Sequence, residues 1–108
     1  MKKVNNVNEF NEVINSDNLT VVKFSADWCG PCRTLAGIMD DVTPDYQNVN
    51  FIEIDVEGDG MDEIVSNYSI RNIPVIAFIK NGNLINKTNA LMLNISILNK
   101  SKNWNITD

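Results

Sequence analysis

The chain has no histidine and only two cysteines among its 108 residues. Without imidazole there is no Ser-His or Cys-His catalytic dyad and no imidazole metal ligand. Two thiols fall short of a four-thiolate zinc site, and no second Cys-x-x-Cys pair is present to complete one, so no metal is expected. No apolar run approaches the length of a membrane span. The positively charged start, Met1-Lys2-Lys3, is not followed by the apolar stretch of a secretory signal. These absences point to a cytoplasmic setting and away from a membrane. Basic residues are also few: nine Lys and Arg against fourteen Asp and Glu leave a formal net charge of -5. The lysines form no patch, so a phosphate backbone is repelled and nucleic acid is not an expected partner. No repeat, low-complexity block or Gly/Ser linker divides the sequence, and residues 1–108 read as a single domain.

What is present alternates between two periods. Asn8 to Asn15 carries Phe10, Val13 and Ile14 at helical spacing, with Asn6 and Glu9 in capping-box positions. Leu19 to Ser25 is β-branched and largely apolar, and reads as a buried strand interrupted by Lys23. Pro31 suits the first turn of a helix. Leu35, Ile38, Met39 and Val42 share one face of that helix, which is expected to end near Thr43-Pro44. Val49 to Val56 reads as a second strand and Met61 to Tyr68 as a short helix. Val75 to Lys80 and Leu84 to Thr88 flank Asn81-Gly82, the strongest local hairpin signal. Leu91 to Leu98 fits both periods, and its place after a hairpin favours helix. Trp104 reads as a helix-end packing residue or part of a tail. A short strand near Val4 can precede the first helix. The strand-helix-strand portion predicts parallel pairing and the hairpin adds antiparallel strands, giving an α/β chain with a mixed sheet.

The chemistry sits where the first long strand meets the following helix, at Trp28-Cys29-Gly30-Pro31-Cys32. Two cysteines three apart at a helix start lie close enough for a short disulfide. Cys29 falls in the N-cap region, where unpaired backbone N–H groups and the helix dipole stabilise a thiolate, the reactive form of the thiol. Cys32, one turn inside, is expected to be more buried and placed to attack a mixed disulfide formed at Cys29. Gly30 is expected to permit a tight turn and Pro31 to stiffen it. Trp28 reads either as a packed aromatic or as a rim for protein substrates.

At these residues the sequence resembles the thioredoxin family, whose active-site signature is Trp-Cys-Gly-Pro-Cys. The resemblance runs from about Phe10 to Leu98 and takes in Phe24-Ser25-Ala26-Asp27, Asp55-Val56, Tyr68-Ser69-Ile70-Arg71-Asn72-Ile73-Pro74 and Lys80-Asn81-Gly82. It implies the thioredoxin fold, an α/β architecture whose central mixed β-sheet has helices on both faces. It implies a monomer that reduces disulfides in protein substrates by reversible oxidation of the Cys29/Cys32 dithiol, without a cofactor, and receives electrons from a thioredoxin reductase. It also implies a cis Pro74 beside the cysteines. Ile73 would offer its N–H and C=O to an extended substrate segment, with Trp28, Asn72 and Asn89 along the substrate groove.

The chain departs from the family pattern in ways that bear on the site. Lys23 stands where the family carries a buried aspartate, and Phe51 where it carries a lysine. Ser25 replaces an aromatic residue, Gly37 a helix proline and Asn89 a glycine. Lys23 is expected beneath the active-site helix, where it either loses its proton or finds Glu53, which shares a strand face with Phe51. The alternative is that its long stem carries the amine to the surface. Two other functions remain open at this point: a glutaredoxin-like or more oxidising dithiol, and a binding module that uses the fold as a subunit or chaperone.

Overall fold

In the computed structural model, residues 1–89 are described. The expected helix from Leu91 to Leu98, and Trp104, lie outside them. The elements run β1 (Lys2–Lys3), α1 (Val7–Ile14), β2 (Thr20–Ser25), α2 (Gly30–Val42), β3 (Asn50–Asp55), α3 (Asp62–Asn67), β4 (Val75–Lys80) and β5 (Asn83–Thr88). A short 3-10 turn, Thr43–Asp45, follows α2 where the pre-proline residue was expected to end it. The sheet order is β1-β3-β2-β4-β5. β3 runs parallel to β1 and β2, whereas β4 is antiparallel to β2 and β5 antiparallel to β4.

Local signals account for most of these boundaries. The Asn6 side chain accepts the Glu9 N–H at 2.8 Å and starts α1. Only this half of the expected capping box carries the cap, because the Glu9 carboxylate pairs with Lys2 at 3.1 Å. At the hairpin, Asn81 and Gly82 both have positive φ, 52° and 78°, as a two-residue turn of this kind requires. Their N–H groups donate to Ser16 and Ile14 carbonyls at 3.2 and 2.7 Å, so the turn is docked on the end of α1.

β2 lies at the centre of the sheet and is buried along its whole length. Its alternate residues therefore serve two cores. Val22 and Phe24 face α1 and α3, packing with Phe10, Ile14, Ile52, Ile54 and Ile64. Val21 faces the other way, toward Leu35 and Met39 of α2, with Phe51, Ile76 and Phe78. The described helices thus cover both faces of a mixed sheet. Lys23 falls in the second set, on the α2 face.

Candidate active site

β2 ends at Ser25, and the chain passes through Ala26-Asp27-Trp28 into α2. The Cys29 N–H bonds back to the Ala26 carbonyl at 3.1 Å, and the Arg33 guanidinium donates to the Asp27 carbonyl at 2.8 Å, bracing this connection. Cys29 is the N-cap of α2 with extended backbone, φ -86° and ψ 106°. Its Sγ accepts the Cys32 backbone N–H at 3.2 Å. A sulfur so placed takes up one of the orphan donors of the first turn. Pro31 occupies that turn, where the missing N–H costs nothing.

Cys29 and Cys32 form a disulfide with their Cα atoms 5.2 Å apart. Both are buried, 4% and 2% exposed, so access separates them less than expected and position in the helix distinguishes them more. Gly30 also differs from expectation. It lies inside the first turn of α2, and a methyl there would meet only Arg33 at an ordinary 3.8 Å. No tight turn demands glycine at that place. Trp28 is 66% exposed and donates its indole N–H to Glu57 at 2.9 Å.

The Ile73–Pro74 peptide is cis, as the resemblance implies. Pro74 immediately precedes β4, whose Val75 pairs with Phe24 near the end of β2, so this loop stands at the sheet end from which the cysteine motif departs. Asn72 and Asn89, far apart in sequence, line one cavity of about 300 Å³ together with Ser69, Arg71, Lys87 and Thr88. Ile73 is half-buried against the α1/α3 core.

Lys23 is 2% exposed, which removes the surface alternative. Its Nζ lies 2.9 Å from Glu53 Oε2 and donates to the Cys32 carbonyl at 3.4 Å. The same Glu53 oxygen accepts the Ser25 hydroxyl at 2.9 Å. Lys23 and Glu53 are register partners across β2 and β3, which turns both side chains to the α2 face. Burial alone pushes the Glu53 carboxyl up. The hydrogen bonds from Lys23 and Ser25 and the charges of Lys23 and Lys3 outweigh it and hold the group below its ordinary range. Lys23, Ser25, Glu53 and Cys32 together line a cavity of about 160 Å³. The hydroxyl of Ser25 was not foreseen as part of this network, although its i, i+2 spacing from Lys23 was available as a signal. Glu57 as the partner of Trp28 carried no signal at all. Among the described residues, no group of three or more His, Cys, Asp or Glu side chains is arranged to hold a metal.

Comparison with known proteins bears on this geometry. A family model described as Thioredoxin matches residues 1–100. The thioredoxin of Mycoplasmoides gallisepticum is 37% identical over 87 residues, which is 81% of this chain and 85% of that protein. Thioredoxin-1 of Schizosaccharomyces pombe is 34% identical over 85 residues, 79% of this chain and 81% of that protein. Among solved structures, Fasciola hepatica thioredoxin superposes with a TM-score of 0.80 at 26% identity, covering 95% of this chain and 98% of its own. Oxidised Plasmodium falciparum thioredoxin gives 0.80 at 27% identity, covering 93% and 96%.

Proposed function

This chain belongs to the thioredoxin family, and we propose that Cys29 is its attacking thiol and Cys32 its resolving thiol. The protein is a thiol-disulfide oxidoreductase that reduces protein disulfides by reversible oxidation of this pair. The Cys29 thiolate attacks one sulfur of a substrate disulfide. A mixed disulfide forms, and the displaced substrate thiolate takes up a proton. Cys32 then loses its proton and attacks Cys29 Sγ. The mixed disulfide breaks, the second substrate thiolate leaves and is protonated, and the Cys29–Cys32 disulfide closes. Two electrons have passed from the dithiol to the substrate. A thioredoxin reductase returns them.

The observation that carries the assignment is the N-cap position of Cys29, whose sulfur accepts a backbone N–H at 3.2 Å. A thiolate there meets the positive end of α2. Gly30 and Pro31 connect the two sulfurs. The exposed Trp28 forms an apolar rim for protein substrates, and the Ile73 backbone pairs with an extended substrate segment. Asn72 and Asn89 line its groove, and Pro74 keeps that loop beside the motif. Lys23 acts on the sulfurs from beneath α2. The reading extends to a monomer in the cytoplasm, where dithiols of this kind are kept reduced and disulfides are catalytic rather than structural.

A more oxidising dithiol is the second reading, favoured by one observation: a buried ammonium within 3.4 Å of the Cys32 backbone stabilises thiolate, and so the reduced form. Equilibration with glutathione separates the two, because only an oxidising couple stays largely dithiol in a mildly oxidising buffer. The thiol assignment is tested by trapping. Cys32→Ser is expected to accumulate mixed disulfides with protein substrates and Cys29→Ser to accumulate none; the opposite pattern reverses the roles.

A further inference from the structure

A lysine inside a doubly covered strand is costly unless its charge is paired and its N–H groups are bonded. Lys23 meets this condition through Glu53, 2.9 Å away, and touches the backbone of Cys32 with the same ammonium. Glu53 is held in turn by the Ser25 hydroxyl at 2.9 Å. The order of contacts runs from β3 to β2 to α2: carboxylate, ammonium, Cys32.

We propose that Glu53 is a positioning residue for the dithiol: with Ser25 it seats the Lys23 ammonium against Cys32, and that ammonium stabilises the thiolate that Cys32 must become. The proposal rests on Cys32 being the resolving thiol.

Three features of the site support it. First, the carboxylate is a poor proton acceptor for a thiol. Desolvation raises its proton affinity, but the Lys23 and Ser25 hydrogen bonds and the nearby cations more than offset that. An ordinary thiol titrates near about 8.5, well above any carboxylate so held. Second, Glu53 is the counter-charge of the buried Lys23 ammonium, 2.9 Å away, and holds it on the α2 face where it reaches the Cys32 carbonyl at 3.4 Å. Third, the remaining charged groups around the cavity cancel. Lys3 from β1 and Arg33 from α2 stand against Asp27 from the connection and Asp55 from β3. Arg33 is committed to the Asp27 carbonyl at 2.8 Å. Of the charged groups that line this cavity, the Lys23 ammonium is the one that donates to Cys32, at its carbonyl 3.4 Å away. The cavity of about 160 Å³ exceeds the roughly 10–15 Å³ that one water requires, so the proton released by Cys32 leaves to water.

Glu53 acts here only through Lys23, and this makes the idea separable from a general electrostatic effect. In a Cys29→Ser background, Cys32 is the only thiol and its ultraviolet thiolate absorbance can be titrated. Glu53→Gln is expected to raise the Cys32 pKa by about one unit, because the Lys23 ammonium then loses the carboxylate that seats it against Cys32. Lys23→Met is expected to raise it further, since the Glu53 carboxylate is left facing the thiol. The double variant should coincide with Glu53→Gln. Ser25→Ala, the mildest change, should move the pKa the same way by less, and serves if Lys23→Met does not fold. A Glu53→Gln protein that titrates like its parent, or whose Cys32 pKa falls, overturns the proposal. Failure of the underlying thiol assignment is registered separately, by mixed disulfides that trap through Cys32.

Discussion

The disulfide closes a short loop, and its effect on stability can be worked from the fold. Cys29 and Cys32 are separated by 3 positions, so the ring holds few residues. In the chain-entropy account, cross-linking a loop of about four residues removes roughly 6 cal/mol/K from the unfolded ensemble, or about 2 kcal/mol at 25 °C. For a domain near this size that corresponds to a fall in Tm of roughly 10 °C on reduction. An opposing contribution exists only in the reduced protein. The Cys29 thiolate at the N-cap interacts with the dipole of α2, worth about 0.3–1 kcal/mol, and the unfolded chain has no such partner. A thiol whose folded pKa is depressed contributes stability that is fully present above its unfolded value, about 8.5, and is lost as pH falls through the folded value. The gap between oxidised and reduced protein is therefore expected to be widest near about pH 6, where the thiol is protonated in both states of the reduced chain. It should narrow toward about pH 9. Calorimetric melting of both forms at the two pH values, with the Cys29→Ser/Cys32→Ser variant correcting for other titrations, measures it directly. Equal midpoints at the acid end, or a gap that grows with pH, would refute the reasoning.

Other expectations follow from single observations. Gly82 has φ 78°, and a Cβ there would lie 2.5 Å from Asn15 Oδ1; Gly82→Ala should cost about 1–2 kcal/mol in urea unfolding while leaving the rate per folded molecule unchanged. Trp28→Ala should raise KM for a protein disulfide up to roughly tenfold without affecting a small aromatic disulfide, since the exposed ring is proposed to contact protein surface. Glu53 has its folded pKa below its ordinary value of 4.5, so its stabilisation is present above that range and lost as pH falls through the folded value. Glu53→Gln should consequently lose less stability than the parent between about pH 5 and pH 3, and an equal loss in both would count against the Lys23–Ser25 network.

The parts of this molecule that were legible in advance are those set by neighbours in sequence. Cys29 at a helix start, Pro31 in the first turn and Asn81-Gly82 in a hairpin all depend on a few adjacent residues, and each stands where its chemistry requires. Element ends moved by about one residue, as with α1, read as Asn8 to Asn15 and found as Val7–Ile14. Lys23 was harder. Its strand could be seen to be buried, but whether its amine stayed inside depended on Glu53, which reaches it only through the β2–β3 register. A pairing across strands is decided by tertiary structure, and the period-2 pattern limits the candidates to one face without choosing among them. Trp28 and Glu57 show the extreme case: two exposed groups joined at 2.9 Å, on segments whose meeting no local rule predicts.

The convergence of the proposed substrate residues follows from strand direction. β2 delivers the cysteine motif at its carboxyl end. Because β4 is antiparallel to β2, the amino end of β4 lies at that same edge of the sheet, with Val75 opposite Phe24. Pro74 and Ile73 are the residues just before it. A further reversal brings the carboxyl end of β5 to the same edge, with Thr88 opposite Ile76 and Asn89 next in the chain. Adjacent strands are about 4.8 Å apart, so β2 and β5 are separated by only about 10 Å. Had β4 been parallel to β2, its amino end would have stood at the opposite edge, and the Ile73-Pro74 loop with it. The hairpin therefore does more than complete the sheet: it returns the chain to the edge where Cys29 emerges. Register matters as much as direction. A slip of β2 by one residue would turn Lys23 toward α1 and α3, away from Cys32, and would put Phe24 beneath the active-site helix instead.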